Sequence, residues 1–442
     1  MMDFATSGHP KVQAQLDRIA RRDPHRPDVK LERMRALMPR LGSPERRLPP
    51  VFHVAGTNGK GSTCAFLRAA VEAAGLSAHV HTSPHLVRLN ERIRIAGRLV
   101  KDEILADLLR QVNDAAAGLG ISFFEAMAAA AFLAFAAEPA DACIVEVGLG
   151  GTLDATNLVP RPAACGIAQL GLDHQHFLGD TLEQIASEKA GIAKGGAPLV
   201  TLDYPAAAAE RIAGAAAAAG ADWLPRGDAW DHEEVEGRIA YRDRQGSLLL
   251  PTPALPGPHQ ATNGALAVAM IRHQAEVAVP EAALKAAMNW ADWPARLQHL
   301  APGPLASLLP PGAELWLDGA HNPSAARPVA DFFRARLRSG NPFHIVAGIL
   351  ENKDAAGILK PFAGRAVTLH AVPVPGHAHH GPPALAATAR AVGLTSRTAA
   401  DVADALRWIA RHADRDAPPV VLVMGSLYLA GEVLSDNGQP PA

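Results

Sequence analysis

Residues 51–63, Val-Phe-His-Val-Ala-Gly-Thr-Asn-Gly-Lys-Gly-Ser-Thr, constrain the fold of this chain more than any other stretch. An apolar run gives way to a glycine-rich turn with one lysine, and then to residues suited to a helix. A strand, a tight turn and a helix in that order build an anion cradle. Glycines let backbone N–H groups approach a polyphosphate, the helix N-terminus adds partial positive charge, and Lys60 supplies a full one. Ser62 and Thr63 stand where a hydroxyl reaches a phosphate-bound Mg²⁺. The usual phosphate-loop spacing asks for glycine at position 54 and Ser or Thr directly after the lysine; Val54 and Gly61 occupy those places. Taken alone, the segment therefore also reads as an ordinary glycine-rich strand-to-helix turn.

The same alternation of apolar runs and helical stretches continues along the chain. Strand candidates are 51–55, 142–147, 199–202, 314–317, 344–347 and 420–424. Helix candidates between them include 62–74, ended by Gly75, and 125–138, which stops before Pro139. Alternation of this kind predicts an α/β fold with parallel sheets. Residues 223–253 are polar and charged and predict a small antiparallel hairpin region instead. The alanine runs at 206–209 and 215–219 read as surface helix, and the tail 437–442 as frayed. At 442 residues the chain is too long for one ordinary core, so two or three domains are expected. Prolines and glycines cluster at 297–311 and suggest a boundary there.

Composition removes several function classes. A net charge of −2 leaves no bulk electrostatic footprint for nucleic acid or an anionic membrane. Hydrophobic residues at 48 % and charged residues at 19 % fit a packed soluble enzyme. Cys64, Cys143 and Cys165 are widely spaced without a CxxC pair, and read as buried thiols of a reducing, cytoplasmic compartment. The first six residues lack the pattern of a secretion signal. The longest nearly apolar segment, 126–137, is too short to span a bilayer.

Several constellations point to chemistry. Glu146 ends an apolar run before Gly-Leu-Gly-Gly. A carboxylate at the C-terminal edge of a buried parallel strand faces the crevice where such sheets bind ligands, and suits a phosphate-bound Mg²⁺. A solvated strand-end acid is the plain alternative. His79, His81 and His85, and likewise His377, His379 and His380, lack the partners of a zinc site; the second group reads as a solvated loop. Asp318-Gly-Ala-His-Asn-Pro323 closes a strand and opens a helix behind a proline.

The motifs run in a fixed order: Gly56-Thr-Asn-Gly-Lys-Gly-Ser62, Ser83-Pro-His-Leu86 with Asn90-Glu-Arg92, Phe124-Glu125, Glu146-Val-Gly-Leu-Gly-Gly151, Leu153-Asp-Ala-Thr-Asn157, Leu172-Asp-His174 and Glu188-Lys-Ala-Gly-Ile192. Leu255-Pro-Gly with His259-Gln260 and Asn263, Trp293-Pro with Arg296, Asp318-Gly-Ala-His-Asn-Pro323 and Gly425-Ser-Leu-Tyr-Leu-Ala-Gly431 follow. Together they resemble the bacterial dihydrofolate synthase/folylpolyglutamate synthase family of the Mur ligase superfamily, over residues 50–432.

The resemblance implies an N-terminal P-loop ATPase domain of the Mur ligase type, residues 1–298, and a smaller Rossmann-like C-terminal domain, residues 299–442. The active site is then expected in the cleft between them, with a hinge near 297–311. It implies an ATP-dependent amide ligase that phosphorylates a folate-precursor carboxylate and passes the acyl group to L-glutamate. By position, Gly56, Thr57, Asn58, Gly59, Lys60, Gly61 and Ser62 would hold the phosphates, completed by Asn263, Arg296 and Asp318. Ser83, Glu146 and His174 would bind Mg²⁺; imidazole is an unusual ligand for that ion, so His174 rests on the resemblance alone. Ser122, Phe123, Phe124 and Glu125, with Leu153, Asp154 and Ala155, would face the folate. His321 and Ser426 would line the glutamate side, and Lys60, Lys189 and His321 would serve catalysis.

Lys189 matches a lysine that the family carries as a carbamate, which would offer oxygens to a second metal ion. Capture of CO₂ needs a neutral amine, and a lysine with a reference pKa near 10.4 is neutral only about 0.04 % of the time at pH 7. Partial burial and a nearby Mg²⁺ would have to lower that pKa. One position departs from the pattern: Thr152 stands where the family usually has arginine, which bears on how the substrate's carboxylates are held. Expected partners are the small molecules ATP, dihydropteroate, folates and L-glutamate, and the expected state is a monomer. A cell-wall Mur ligase is the nearest competing enzyme, but about fifty residues before the phosphate loop are fewer than its UDP-binding domain requires. A nucleotide-sensing module without chemistry would need neither His174 nor Asp318.

Overall fold

The computed structural model of the protein describes residues 6–22, 30–337, 342–364, 368–414 and 416–442. Residues 1–5, on which the reading of the N-terminus rests, lie outside them. The chain forms two compact units: Met1–Ala254 with Gln260–Asp292, and Leu255–His259 with Trp293–Ala442.

In the first unit, β1 (Val51–Ala55), β2 (Ala78–His81), β3 (Ile93–Ile95), β4 (Arg98–Leu99), β5 (Ala142–Glu146), β6 (Ala164–Ile167), β7 (Pro198–Thr201) and β8 (Asp222–Pro225) form one sheet among the described residues. Its order is β4-β3-β2-β5-β1-β6-β7-β8. Pairing from β2 through β8 is parallel, and β3 and β4 close one edge antiparallel. Every residue of β1 and β5 is buried, as continuous apolar runs in a sheet covered on both faces must be. The helix Lys60–Ala73 packs on this sheet and against the helix Glu281–Trp290. The helix Phe123–Ala137 is apolar nearly all round and fills a core with Leu105, Leu109, Val112 and Val145.

Three expectations change here. Residues 222–225 do not join the polar hairpin region; they add β8 to the edge of the main sheet, with Val200 opposite Leu224. The antiparallel region proper has three strands, β9 (Trp230–Val235), β10 (Arg238–Asp243) and β11 (Gly246–Pro251), in the order β11-β10-β9. The alanine-rich helix Ala206–Ala219 is not plain surface: Ala208, Ile212 and Ala216, spaced four apart, bury one stripe.

In the second unit, β12 (Gln298–His299), β13 (Glu314–Leu317), β14 (Phe343–Ala347), β15 (Thr368–Ala371), β16 (Ser396–Thr398) and β17 (Val420–Met424) form a sheet in the order β12-β13-β17-β14-β15-β16. All pairs are parallel except β12 with β13. Residues 297–311, where a boundary was expected, are folded into this unit: Leu297 is fully buried and β12 pairs with β13. The tail is also anchored at its start. Asn437 is buried, its Oδ1 accepts from the N–H groups of Leu305 and Ala306 at 3.0 Å each, and its Nδ2 donates to Ala301 O at 3.1 Å. Cys64, Cys143 and Cys165 are all buried free thiols. Among the described residues no helix is long and apolar enough to cross a membrane.

Candidate active site

Beyond β1 the chain turns through Gly56 and Gly59 before the helix Lys60–Ala73 begins. Gly59 has φ 84°, a left-handed conformation, and a Cβ there would run into Asn263 Oδ1. Only glycine closes this turn against that side chain. The loop is tied to the segment after β6: the N–H groups of Thr57 and Asn58 donate to Gln169 O at 2.8 and 3.2 Å, and Thr57 Oγ1 donates to Gly171 O at 3.0 Å. Lys60 Nζ folds back onto Gly56 O at 3.1 Å and Thr57 O at 3.3 Å, so the ammonium sits over the turn. Gly61 and Ser62 lie buried in the first helical turn, and Asn263 is buried with its Nδ2 donating to Gln260 Oε1 at 3.0 Å.

Glu146 is the last residue of β5 and stands opposite Val54 in the register, at the same end of the sheet as the phosphate loop. Its buried carboxylate accepts from Ser83 N–H at 3.0 Å, which joins two of the predicted metal-site residues directly. The charges of Glu146 and Lys60 both act on the buried Cys64 thiol, in opposite directions. His174 adopts φ 52°, its N–H donates to Asp173 Oδ1 at 2.8 Å, and its Nε2 lies 4.0 Å from the same oxygen. Lys189, in the last turn of the helix Leu182–Ala190, is only 4 % exposed. The charges acting on it are those of Lys60, Asp173, Asp154 and Glu188, which places the predicted lysine beside the phosphate loop. Sequence reasoning passed over Asp173; its position directly before His174 was the available signal.

The carboxylates predicted to face the folate are engaged within the fold. Ser122 caps the helix Phe123–Ala137 and Glu125 completes a capping box, its Oε2 accepting from Ser122 N–H. The same carboxylate takes Arg33 Nε at 3.0 and 3.2 Å. Asp154 is buried and accepts from the N–H groups of Leu149 and Thr156 at 2.9 Å each and from the Thr156 hydroxyl. His53 Nε2, from β1, continues that chain to Thr156 Oγ1 at 2.9 Å. Ala155 is buried, whereas Leu153 is 42 % exposed. Phe123 lies under the Arg92 guanidinium, 5.0 Å from ring centroid to Cζ, and Phe124 abuts Gly148. Of the histidines near this region, His79 Nε2 bonds Glu138 O and its ring stacks on Phe135, while His81 Nδ1 bonds Arg92 O and its buried Nε2 has no partner among the described residues.

Within the second unit, Asp318 follows β13 and is buried, with its two oxygens accepting from Leu297 N–H at 2.8 Å and Ala320 N–H at 2.7 Å. Arg296 approaches Gly319 and bonds Ala295 O. His321 Nδ1 is 2.8 Å from Gly319 O. Ser426 follows the neighbouring strand β17 and caps the helix Leu427–Asp436 by accepting from Tyr428 N–H at 3.1 Å. Asp318, His321 and Ser426 thus share the C-terminal edge of one parallel sheet, where α/β sheets place ligands. His377, expected in a solvated loop, stacks on Tyr428 with centroids 3.7 Å apart, and His380 Nε2 bonds Lys353 O at 3.0 Å.

Comparison with known proteins supplies the name for this arrangement. Residues 307–436 match the family described as dihydrofolate synthetase, C-terminal domain. The Escherichia coli dihydrofolate synthase/folylpolyglutamate synthase is 33 % identical over 92 % of this chain and 91 % of its own. The chain belongs to the dihydrofolate synthase/folylpolyglutamate synthase family. The Lacticaseibacillus casei folylpolyglutamate synthase is 30 % identical over 94 % of this chain and 95 % of its own. E. coli FolC solved with DHPP and ADP superposes with a TM-score of 0.85 at 30 % identity, covering 98 % of both chains. A bifunctional folylpolyglutamate synthase/dihydrofolate synthase with Mn, AMPPNP and L-glutamate bound gives a TM-score of 0.83 at 32 % identity, over 96 % of this chain and 97 % of that one. As a member of this family the protein is an ATP-dependent ligase with a two-domain Mur ligase fold.

The electrostatics of this folate-ligase family member suit that chemistry. Burial, reinforced by the Lys60 charge, lowers the Lys189 pKa to about 7 against the pull of Asp173, Asp154 and Glu188. At pH 7 the amine is then neutral about half the time, roughly a thousandfold more than an exposed lysine. Burial raises the Asp318 carboxyl above its usual range, with Arg296 opposing. Glu146 and Ser83 carry oxygens of the hard type that a divalent cation such as Mg²⁺ prefers, so their chemistry is compatible with that ion.

Proposed function

We propose that this ligase joins L-glutamate to 7,8-dihydropteroate, giving dihydrofolate, and extends the glutamate tail of tetrahydrofolate and its polyglutamates. A carboxylate is a poor electrophile, so an oxygen of the acceptor's carboxylate first attacks the γ-phosphorus of ATP and ADP leaves. The α-amine of glutamate then attacks the acyl carbon of the acyl phosphate, inorganic phosphate leaves, and the amine gives up its proton as the amide forms. Lys60 and the loop N–H groups offset the charge that builds on the phosphates, and holding the reactants in line removes the entropic part of the barrier. Glu146, Ser83 and His174 are the residues that would hold Mg²⁺, which supplies further charge neutralisation when bound. Asn263, beside Gly59, and Arg296 and Asp318 in the second unit complete the proposed nucleotide set.

Lys189 is proposed to react with CO₂: the ammonium first gives up one proton, the neutral amine then forms an N–C bond to CO₂ and releases a second, and the side chain passes from +1 to −1. Its low pKa and buried position support this reading, and the Lys60 charge favours both the neutral amine and the anionic product. Folate contacts are proposed for the Phe123–Phe124 surface and the exposed Leu153, with the Ser122, Glu125, Asp154 and Ala155 positions acting mainly through backbone and shape. His321 and Ser426 are proposed for the glutamate side. The observation that carries the proposal is a lysine-bearing phosphate cradle next to a near-neutral buried lysine, in a chain matched over nine-tenths of its length by folate ligases.

The test is an ADP-release assay with ATP, Mg²⁺ and L-glutamate, offering 7,8-dihydropteroate or tetrahydrofolate. Turnover with both acceptors is expected. Turnover with tetrahydrofolate alone would confine the enzyme to tail extension and implicate Thr152, and nucleotide binding without turnover on either would reject the ligase assignment.

A further inference from the structure

The helix that carries Lys189 is finished at its C-terminus by a different part of the chain. A helix leaves its last carbonyls without intrahelical donors. Here Glu188 O accepts from Thr152 N–H at 2.9 Å and from Thr152 Oγ1 at 3.1 Å, and Gly191 O accepts from Asn157 Nδ2 at 3.0 Å. Asn157 Nδ2 also donates to Thr152 O at 3.0 Å, while its Oδ1 receives Lys194 Nζ. One side-chain amide, 8 % exposed, thus bridges the loop 148–157 and the end of the helix. The two backbones are in contact: a Cβ on Gly151 would lie 2.9 Å from Lys189 Cα, and one on Gly191 would lie 2.7 Å from Thr152 Cα. No side chain fits between loop and helix, so movement of one is passed to the other.

We propose that Asn157 is a positioning residue that fixes Lys189 relative to the loop 148–157. Both donor bonds come from one NH₂ group, so without it the Thr152 and Gly191 carbonyls lose their shared partner and the lysine's helix end is free to draw away. Thr152 caps Glu188 O through its backbone and hydroxyl together, a short-range task that a long arginine at this position would not perform in the same way. The consequence is that occupancy of the loop by an acceptor and the placement of Lys189 are mechanically linked. This rests on the proposed role of Lys189 in the ligase reaction.

The experiment uses the full chain with Asn157→Ala and Asn157→Asp. The aspartate variant keeps the shape and the Lys194 contact but has no N–H to give. Two readouts are taken: steady-state kinetics of ADP release, and labelling of lysines by an amine-reactive reagent mapped by mass spectrometry, with exposed Lys101 as reference. Both variants are expected to lose about 10- to 100-fold in kcat, the usual cost of removing a residue that orients a ligand or catalytic group, while KM for ATP stays within about twofold. Lys189 labelling should rise severalfold while Lys60 labelling does not. Wild-type kcat and unchanged Lys189 protection in either variant would overturn the proposal, as would equal loosening of Lys60 and Lys189, which marks general destabilisation. If the unaltered enzyme turns over neither acceptor, the ligase assignment fails separately, and the labelling alone still decides whether Asn157 holds Lys189.

Discussion

At the scale of single residues, the site works by placing charges that would be costly alone beside others that offset them. Lys60 rests on its own loop's carbonyls, ready to exchange those weak contacts for phosphate oxygens. Lys60→Met is expected to lower kcat for ADP release by about 100-fold or more, the scale seen when one preorganised donor is removed from a developing charge. Glu125 illustrates a different use of charge. Its carboxylate closes the capping box and receives Arg33, with side-chain exposures of only 6 % and 18 %. Glu125→Ala removes the capping box and a charge-assisted hydrogen bond, so it should cost about 2 kcal/mol in urea unfolding. A purely ligand-binding carboxylate would leave stability nearly unchanged and alter only folate affinity.

At the scale of elements, β14 and β15 bring His344 and His370 together on the second unit's sheet, with ring centroids 5.7 Å apart. His370 is fully buried, and among the described residues neither of its ring nitrogens has a hydrogen-bond partner. Burial lowers its pKa to about 3, helped by His344 and Arg397 against the pull of Asp404, and lowers that of His344 to about 4. The unfolded chain takes up these protons as pH falls below about 6.5, and the folded unit does not. The stability is therefore fully present above that pH and is lost progressively down toward pH 4 and 3. His370→Phe should reduce the acid slope of unfolding free energy by up to about 1.4 kcal/mol per pH unit between pH 6 and 4.5. An unchanged slope would show that His370 is not held neutral. The elements most legible in the sequence were those made largely of apolar residues and bounded by turn signals: β1, β13 and β17 fall where the pattern puts them. Short strands were not. In β6 Gly166 interrupts the run, β15 contains His370, and β16 is three polar residues, so burial by neighbours rather than local pattern makes them strands.

At the scale of the whole molecule, the family and its chemistry were legible because ligand-facing motifs lie at strand ends and turns, where residue type is dictated locally. The phosphate loop, Asp318 and Ser426 lie just beyond strands, and Glu146 ends one. What the sequence hid was the work of partners distant along the chain. Nothing local shows that Asp154 is taken up by Leu149, Thr156 and, through Thr156, His53. The central claim, carboxylate activation by phosphate followed by glutamyl transfer, has a direct test. Dihydropteroate labelled with ¹⁸O in its carboxylate is incubated with the protein, ATP, Mg²⁺ and L-glutamate, and both products are weighed by mass spectrometry. The account predicts dihydrofolate, with one labelled oxygen appearing in the released phosphate for each dihydropteroate converted. Phosphate released without label, or ATP consumed without a glutamyl product, would contradict it.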